Sequence, residues 1–326
     1  MKNIFITGTY GFIGSHFLKL LVDHKYEPIG LGRRTLVGEK RRIEDIDKNK
    51  YKDYEGDICN RKLIEEIIID NDIDCIVNFS AHTMVDRSIR NSEPFIYSNY
   101  IGTWNLLETI RKNKENGKDI RMVQISTDEC YGSILEGSFK ETDKLSPGNP
   151  YSGSKSSADL LCISHANTYD IDVAITRSSN NYGPFQHPEK YIPRMIDLAI
   201  NKKPLEVYGN GTNIRDWLYV TDNCKAIKLV MEKGKKGEIY NIGTNNEMSN
   251  NHVAKIIADR FKVPIRYIED RKGHDFRYST DCTKIKDELG WKPVTKFEDG
   301  LEKTIDWYIK EEYKKDLEAT KGLIKI

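Results

Sequence analysis

Along the first half of the chain, short apolar runs alternate with longer segments in which apolar residues recur every three or four positions. The short runs predict strands at Asn3 to Thr7, Glu27 to Leu31, Cys75 to Phe79, Arg121 to Ser126 and Asp172 to Arg177. In Cys75-Ile76-Val77-Asn78-Phe79 and Met122-Val123-Gln124-Ile125 apolar side chains fall on both faces, as parallel strands covered by helices on each side require. Between them, Arg61 to Asp70 carries Leu63, Ile64, Ile67 and Ile68 at the spacing of one helical face. Repeated strand, helix, strand predicts an α/β fold with a doubly wound parallel sheet. The mixed-charge stretch Arg33 to Lys52 is expected as a loop or short helix. After Arg177 the texture changes to turns such as Asn180-Asn181-Tyr182-Gly183-Pro184 and Tyr208-Gly209-Asn210-Gly211. The expectation is a main lobe over 1–177, to which later strands and helices return, and a smaller α/β lobe over 178–326, the two sharing a fixed cleft.

Composition narrows the class. The chain has 326 residues, enough for one large or two modest domains. Lys and Arg number 51 against 50 Asp and Glu, with both signs interspersed, so no basic face for nucleic acid is indicated. Six cysteines lie scattered without a C-x-x-C pair, which points to reduced thiols rather than a disulfide framework or a metal site. The start, Met1-Lys2-Asn3-Ile4-Phe5-Ile6, turns glycine-rich by Gly8, too soon for a signal peptide, and no run approaches a membrane span. A soluble, cytoplasmic protein is expected.

Three motifs carry chemistry. Gly8-Thr9-Tyr10-Gly11-Phe12-Ile13-Gly14 follows an expected strand and opens a helix, the context of a Rossmann-type dinucleotide turn. At the end of the second strand, Gly32 stands where an NAD-binding chain usually has an acidic residue, and Arg33 and Arg34 follow. Guanidinium groups there suit the 2′-phosphate of NADP, or they are loop residues beside bound NAD; both readings stay open. Tyr151-Ser152-Gly153-Ser154-Lys155 places Tyr151 and Lys155 on one helical face, where an ammonium would favour the phenolate form of the tyrosine. Ser126-Thr127-Asp128-Glu129 puts a hydroxyl and two neighbouring carboxyls at the carboxyl end of a buried strand, where ligands of open α/β sheets bind. Two acids enclosed together repel as anions, so one tends to keep its proton, giving an acid and a base side by side.

With these residues the sequence resembles the extended short-chain dehydrogenase/reductases, the NAD-dependent epimerase/dehydratase family, and within it the dTDP-glucose 4,6-dehydratases. The resemblance continues through Asp57-Ile58, Val85-Asp86-Arg87-Ser88, Ser179 to Pro184, Pro188 to Pro193, Val207 to Gly211, Arg215 to Val220, Tyr240-Asn241-Ile242-Gly243 and Gly273-His274-Asp275. It implies a hydro-lyase that turns a nucleotide-diphosphate hexose, dTDP-glucose first, into the 4-keto-6-deoxy sugar. In the implied mechanism Tyr151 takes the 4-hydroxyl proton as hydride leaves C4 for the cofactor, with Thr127 on the same oxygen and Lys155 beside the nicotinamide ribose. Glu129 then removes the C5 proton, Asp128 protonates the leaving C6 hydroxyl, and the hydride returns to C6. UDP-, GDP- or CDP-linked and 2-acetamido sugars, a 4-epimerase, and a non-catalytic nucleotide-sugar sensor are the competing readings.

For NAD or NADP, bound tightly and regenerated each cycle, the resemblance implies contacts from Gly8, Gly11, Phe12, Ile13, Gly14, Arg33, Arg34, Thr35, Asp57, Ile58, Phe79, Ser80, Ala81, Thr83, Ser98, Tyr151, Lys155 and Asn181. For the nucleotide-sugar it implies Thr83, Asn180, Glu189, Lys190, Tyr191, Val207, Tyr208, Arg215, Asn250 and His274, with Arg215 the candidate cation for the diphosphate. His82 departs from the family pattern, which commonly has an acidic or amide residue there. A homodimer is implied through helices near Glu93 to Asn113 and Tyr151 to Asn167; Leu106, Leu107 and Ile110 serve either that interface or the sheet.

Overall fold

The computed structural model describes residues 3–35, 40–270 and 272–310. Its strands are β1 (Ile4–Thr7), β2 (Ile29–Gly32), β3 (Lys52–Glu55), β4 (Cys75–Asn78), β5 (Arg121–Thr127), β6 (Val173–Ser178), β7 (Asn180–Tyr182), β8 (Leu205–Tyr208), β9 (Ile214–Tyr219), β10 (Ile239–Ile242), β11 (Glu247–Ser249) and β12 (Ile265–Ile268). Seven form one sheet in the order β10-β6-β5-β4-β1-β2-β3, every neighbouring pair parallel. The chain runs outward from β1 to β3 and then resumes at β4 on the other side of β1. Between β1 and β4 the winding therefore reverses, and there a doubly wound sheet opens its ligand crevice.

Alternate residues of each central strand feed opposite layers. Ile4, Ile6, Val77 and Val123 pack with Phe17, Leu18 and Leu21 of the helix Phe12–Asp23 and Ile227 and Met231 of the helix Val220–Lys233. Phe5, Ile76 and Met122 pack with Ile64, Ile67 and Ile68 of the helix Arg61–Asp70. Leu106, Leu107 and Ile110, on the helix Gly102–Glu115, join this second layer, so they face the sheet and not a partner subunit. The exposed apolar side chains of that region are instead Ile96, Tyr97 and Trp104 and, on the neighbouring helix Pro150–Tyr169, Leu160 and Tyr169.

One strand of the main sheet, β3, goes beyond the sequence expectation. The Arg33 to Lys52 stretch contains 3-10 turns at Lys40–Ile43 and Lys48–Lys50 and leads into β3, a polar, half-exposed edge strand reading Lys-Asp-Tyr-Glu. β10 returns from the second half of the chain to the opposite edge beside β6. The smaller lobe carries β7, β9 and β11 in one sheet and β8 with β12 in another. Its core gathers Tyr182, Ile192, Met195, Trp217, Ile257 and Leu301. The expected second lobe extends to 326, and its part beyond 310 lies outside the described residues.

Candidate active site

The glycine turn leaves β1 at Gly8, whose φ of 74° is one that side chains rarely adopt. Its amide donates to the Leu31 carbonyl at 2.7 Å, and its own carbonyl accepts from Gly11 at 2.9 Å. A Cβ on Gly8 would stand 2.8 Å from the backbone of Phe79 and Ser80, and one on Gly14 would stand 2.2 Å from the Gly8 oxygen. Close backbone approach therefore requires both glycines. The helix Phe12–Asp23 begins at this turn and borders the cleft with its N-terminus, a ready place for an anion such as a diphosphate. Beneath it Thr7 Oγ1 donates to Asn78 Oδ1 at 2.6 Å and Asn78 Nδ2 to Gln124 Oε1 at 2.8 Å. This buried ladder ties the carboxyl ends of β1 and β4 to the middle of β5.

Thr127 ends β5 and caps the short turn Asp128–Tyr131. Its Oγ1 accepts from the Glu129 amide at 3.3 Å and donates to Asp128 Oδ1 at 3.2 Å. Asp128 is 3% exposed. Burial, and after it the charge of Glu129, push its carboxyl up to about 8, so it holds a proton at neutral pH. Glu129 lines the cleft, with Oε2 buried and without a hydrogen-bond partner.

Tyr151 and Lys155 lie one turn apart on the helix Pro150–Tyr169. Its start is fixed by a capping box: Asn149 Oδ1 accepts from the Ser152 amide at 3.0 Å and Ser152 Oγ from the Asn149 amide at 3.2 Å. Lys155 Nζ donates to the Ile125 carbonyl at 2.5 Å. Burial draws the ammonium below its ordinary value. Burial also pushes the Tyr151 phenol well up, the charge of Glu129 adds to this, and the Thr127 hydroxyl beside it works the other way. Burial thus works against the phenolate form that the Lys155 ammonium is expected to favour.

One cleft of about 220 Å³ brings together Thr127, Asp128, Glu129, Tyr151 and Lys155 with Gly8, Gly11 to Gly14, Phe79, Ala81, Thr83, Asn180, Asn181 and Lys190. A smaller recess of about 90 Å³ shares Gly8, Gly11, Phe79 and Ala81 and adds Arg33, Thr35, Asp57, Ile58, Ser80, His82 and Ser98. Above it, a Cβ on Gly32 would meet the Tyr10 ring at 2.2 Å. Tyr10 is itself held by its hydroxyl on Asp53 Oδ2 at 3.0 Å. No carboxylate can stand at position 32 unless that ring moves. Arg33 pairs with Asp57 and its Nη2 lies 3.1 Å from His82 Nε2. Arg34, expected at the cofactor, is no wall of either space and pairs with Glu55 at 3.3 Å.

Seven residues expected around the nucleotide-sugar stand outside the walls of the cleft. Glu189 pairs with Arg87, whose Nε is 3.1 Å from Oε2. The Tyr191 hydroxyl donates to the Asn250 carbonyl at 2.8 Å, and its ring stacks on Trp217. Tyr208 meets His274 edge-on, and His274 Nδ1 is 2.6 Å from Asp270 Oδ1. Arg215 donates to the carbonyls of Ile214, Asp275 and Phe276 at 2.6 to 3.1 Å and lies over the Tyr278 ring. Val207 is fully buried beneath the Gly211 turn, so its side chain supports that loop and does not face a ligand.

A model of the GDP-mannose 4,6 dehydratase family matches residues 5–304. The chain belongs to this family. It is 44% identical over 313 residues to the low-salt glycan biosynthesis protein Agl12 of Haloferax volcanii, covering 94% of this chain and 98% of that one. The crystal structure of dTDP-glucose 4,6-dehydratase from Bacillus anthracis in complex with NAD superposes with a TM-score of 0.89 at 42% identity, covering 96% and 98% of the two chains. The Streptomyces venezuelae dTDP-glucose 4,6-dehydratase with NAD bound gives a TM-score of 0.90 at 39% identity, covering 94% and 97%.

In this family member the cleft walls also hold groups that the sequence reading passed over. Gln186 and His187 line it; they sit in the loop between Pro184 and Pro188, both of which lie within the quoted motifs. Asn99, next to Ser98 on a π-helical turn, clamps the backbone of His82 through both its amide atoms and also donates to Ser154 Oγ at 2.8 Å. Asn180 Oδ1, Asn181 Oδ1 and Gln186 Oε1 are buried without hydrogen-bond partners, an arrangement that a polar ligand would satisfy. With the glycine turn and the recess at Arg33, the walls fit a nicotinamide dinucleotide.

Proposed function

We propose that this chain is a nucleotide-sugar 4,6-dehydratase whose substrate is dTDP-glucose and which carries a tightly held nicotinamide dinucleotide. The observation that carries the reading is Asp128 beside Glu129, one carboxyl protonated at neutral pH and the other lining the cleft, in the same cavity as Tyr151 and Lys155. A 4-epimerase has no departing hydroxyl to protonate, and a sensor needs no acid-base pair. The substrate assignment rests on the relatives named dTDP-glucose 4,6-dehydratase.

The dinucleotide, when bound, supplies an acceptor for the C4 hydride, returns that hydride to C6, and brings a positively charged ring in its oxidised form. Gly8 to Gly14 would hold its diphosphate, and Arg33, Thr35, Asp57, Ile58 and Ser98 would surround its adenosine. Tyr151 accepts the 4-hydroxyl proton, with Thr127 hydrogen-bonding the same oxygen and Lys155 lending positive charge. The 4-ketone acidifies C5–H; Glu129 takes that proton while Asp128 gives its own to the C6 oxygen, and water leaves. A proton returned to C5 completes the 4-keto-6-deoxy product.

At the adenosine end, exclusion of an acid at Gly32 and the presence of Arg33 support acceptance of a 2′-phosphate, hence NADP alongside NAD. Tyr97, Trp104 and Leu160, exposed on adjacent helices, support a homodimer through that face. The test is mass spectrometry of dTDP-glucose and of its UDP, GDP and CDP counterparts after incubation with the protein. Loss of one water from dTDP-glucose is expected; isomerisation without loss of mass sinks the dehydratase assignment.

A further inference from the structure

Directly behind the proposed catalytic pair lies a buried carboxylate that no step above uses. Asp159 follows Lys155 by one helical turn and has no accessible surface. Its Oδ2 accepts from Ser126 Oγ and from Arg177 Nε, each at 2.9 Å, while its Oδ1 is buried without a partner. Arg177, opposite Ser126 in the β5–β6 register, is also buried and lies 4.7 Å from the Tyr131 ring centroid. Tyr131 in turn donates to Asn241 Oδ1 at 2.8 Å on β10. A charged cluster in a dry sheet interior is costly unless it is paired.

We propose that Asp159 is a positioning residue of this site: its carboxylate, shared by Ser126 and Arg177, keeps Lys155 as an ammonium and fixes the strand end that carries Thr127. The inference rests on the dehydratase reading for its consequence in turnover. Lys155 Nζ is held by the Ile125 carbonyl at 2.5 Å, and the ionisable groups around it are Tyr151, Asp159 and Cys162 of its own helix and Cys130 of the turn after β5. Burial pushes both thiols up, so they stay neutral and leave Asp159 as the counter-charge. Arg177, the cation nearest Asp159, is tied to the oxygen it shares with Ser126.

The test is an NMR titration of the full chain labelled with [ε-13C]lysine, the Lys155 signal being assigned by its loss in Lys155→Met. Asp159→Asn is expected to lower the Lys155 midpoint by about one unit or more, while Asp159→Glu, which keeps the charge, returns it to near the wild-type position. Ser126→Ala removes one hydrogen bond but no charge and is expected to leave the midpoint in place. In single turnover with dTDP-glucose, Asp159→Asn is expected to form reduced nicotinamide roughly tenfold more slowly at pH 7, with the rate limb moved to higher pH and KM unchanged. An unmoved Lys155 midpoint in Asp159→Asn overturns the proposal whatever the rate does. If Asp159→Asn does not fold, the Lys155 midpoint of Asp159→Asn/Arg177→Gln is compared with that of Arg177→Gln alone: a lower midpoint in the double variant is expected, and equal midpoints overturn the proposal. Absence of reduced nicotinamide in the wild type would sink the dehydratase reading and leave the lysine titration to judge Asp159 separately.

Discussion

Asp128→Asn removes the proposed proton donor while keeping the size of the side chain. With the carboxyl at about 8, about nine-tenths of it is protonated at pH 7, half at pH 8 and about a tenth at pH 9. If protonated Asp128 delivers the proton to the C6 hydroxyl, the wild-type elimination rate falls about tenfold per pH unit above 8. Asparagine cannot deliver that proton, so elimination should drop by ~10²–10⁴ at pH 7, the usual contribution of a general acid, and the alkaline limb should vanish. Stability supplies a second reading with a definite sign. The carboxyl value is raised on folding, so wild-type stability from this group is full below the unfolded value near 4 and is lost as pH rises toward about 8. Asp128→Asn should therefore gain stability relative to wild type as pH increases from 5 to 8. The assay is formation of the 4-keto product, followed by mass and by absorbance, over pH 6 to 9, alongside thermal melts. A wild-type rate flat across pH 7 to 9, or an alkaline limb that persists in Asp128→Asn, would refute the assignment.

Glu129→Gln should still oxidise C4, so reduced nicotinamide accumulates on mixing with dTDP-glucose while no water is lost; full turnover would remove Glu129 as the C5 base. Arg33→Ala should weaken NADP binding more than NAD, by about tenfold or more for a charge-assisted phosphate contact, whereas Arg34→Ala should change both little; calorimetry on cofactor-stripped protein distinguishes them. Leu160→Glu, on the exposed apolar face, should shift the protein from dimer to monomer in sedimentation with its melting temperature nearly unchanged; an unaltered dimer would move the interface elsewhere.

The central sheet was legible because its strands are apolar on both faces, and the helix Arg61–Asp70 because its apolar positions keep a helical period. β3 was not, since an edge strand with half-exposed Lys, Asp, Tyr and Glu lacks the signal that burial imposes. A return of later strands to the main lobe was expected, but that β10 is the one and pairs with β6 is a tertiary choice that no local window contains. At the site, spacing and context revealed Thr127, Asp128, Glu129, Tyr151 and Lys155, but spacing says nothing of desolvation, which decides that Asp128 keeps its proton and Tyr151 resists losing one. Val207 was recoverable: Leu205 and Val207 alternate with Glu206 and Tyr208, and the apolar pair turns inward. The Tyr10–Gly32 contact was not, because it joins the turn after β1 to the last residue of β2, positions far apart in the chain.

The same burial that makes Asp128 an acid makes Tyr151 a poor base. Both groups sit in one water-poor cleft, and both are driven toward their neutral forms by desolvation and by the charge of Glu129. For Asp128 the neutral form is the useful one; for Tyr151 it is the useless one. Positive charge must therefore reach the phenol without stripping the proton from Asp128. Lys155 stands one turn beyond Tyr151 on the helix side of the cleft, whereas Asp128 is held on the strand side by Thr127. Cationic help from Lys155 and from an oxidised nicotinamide thus acts where the first proton leaves. The two opposed protonation states follow from placing the base on a helix and the acid on a strand end, with Glu129 on the wall of the same cleft.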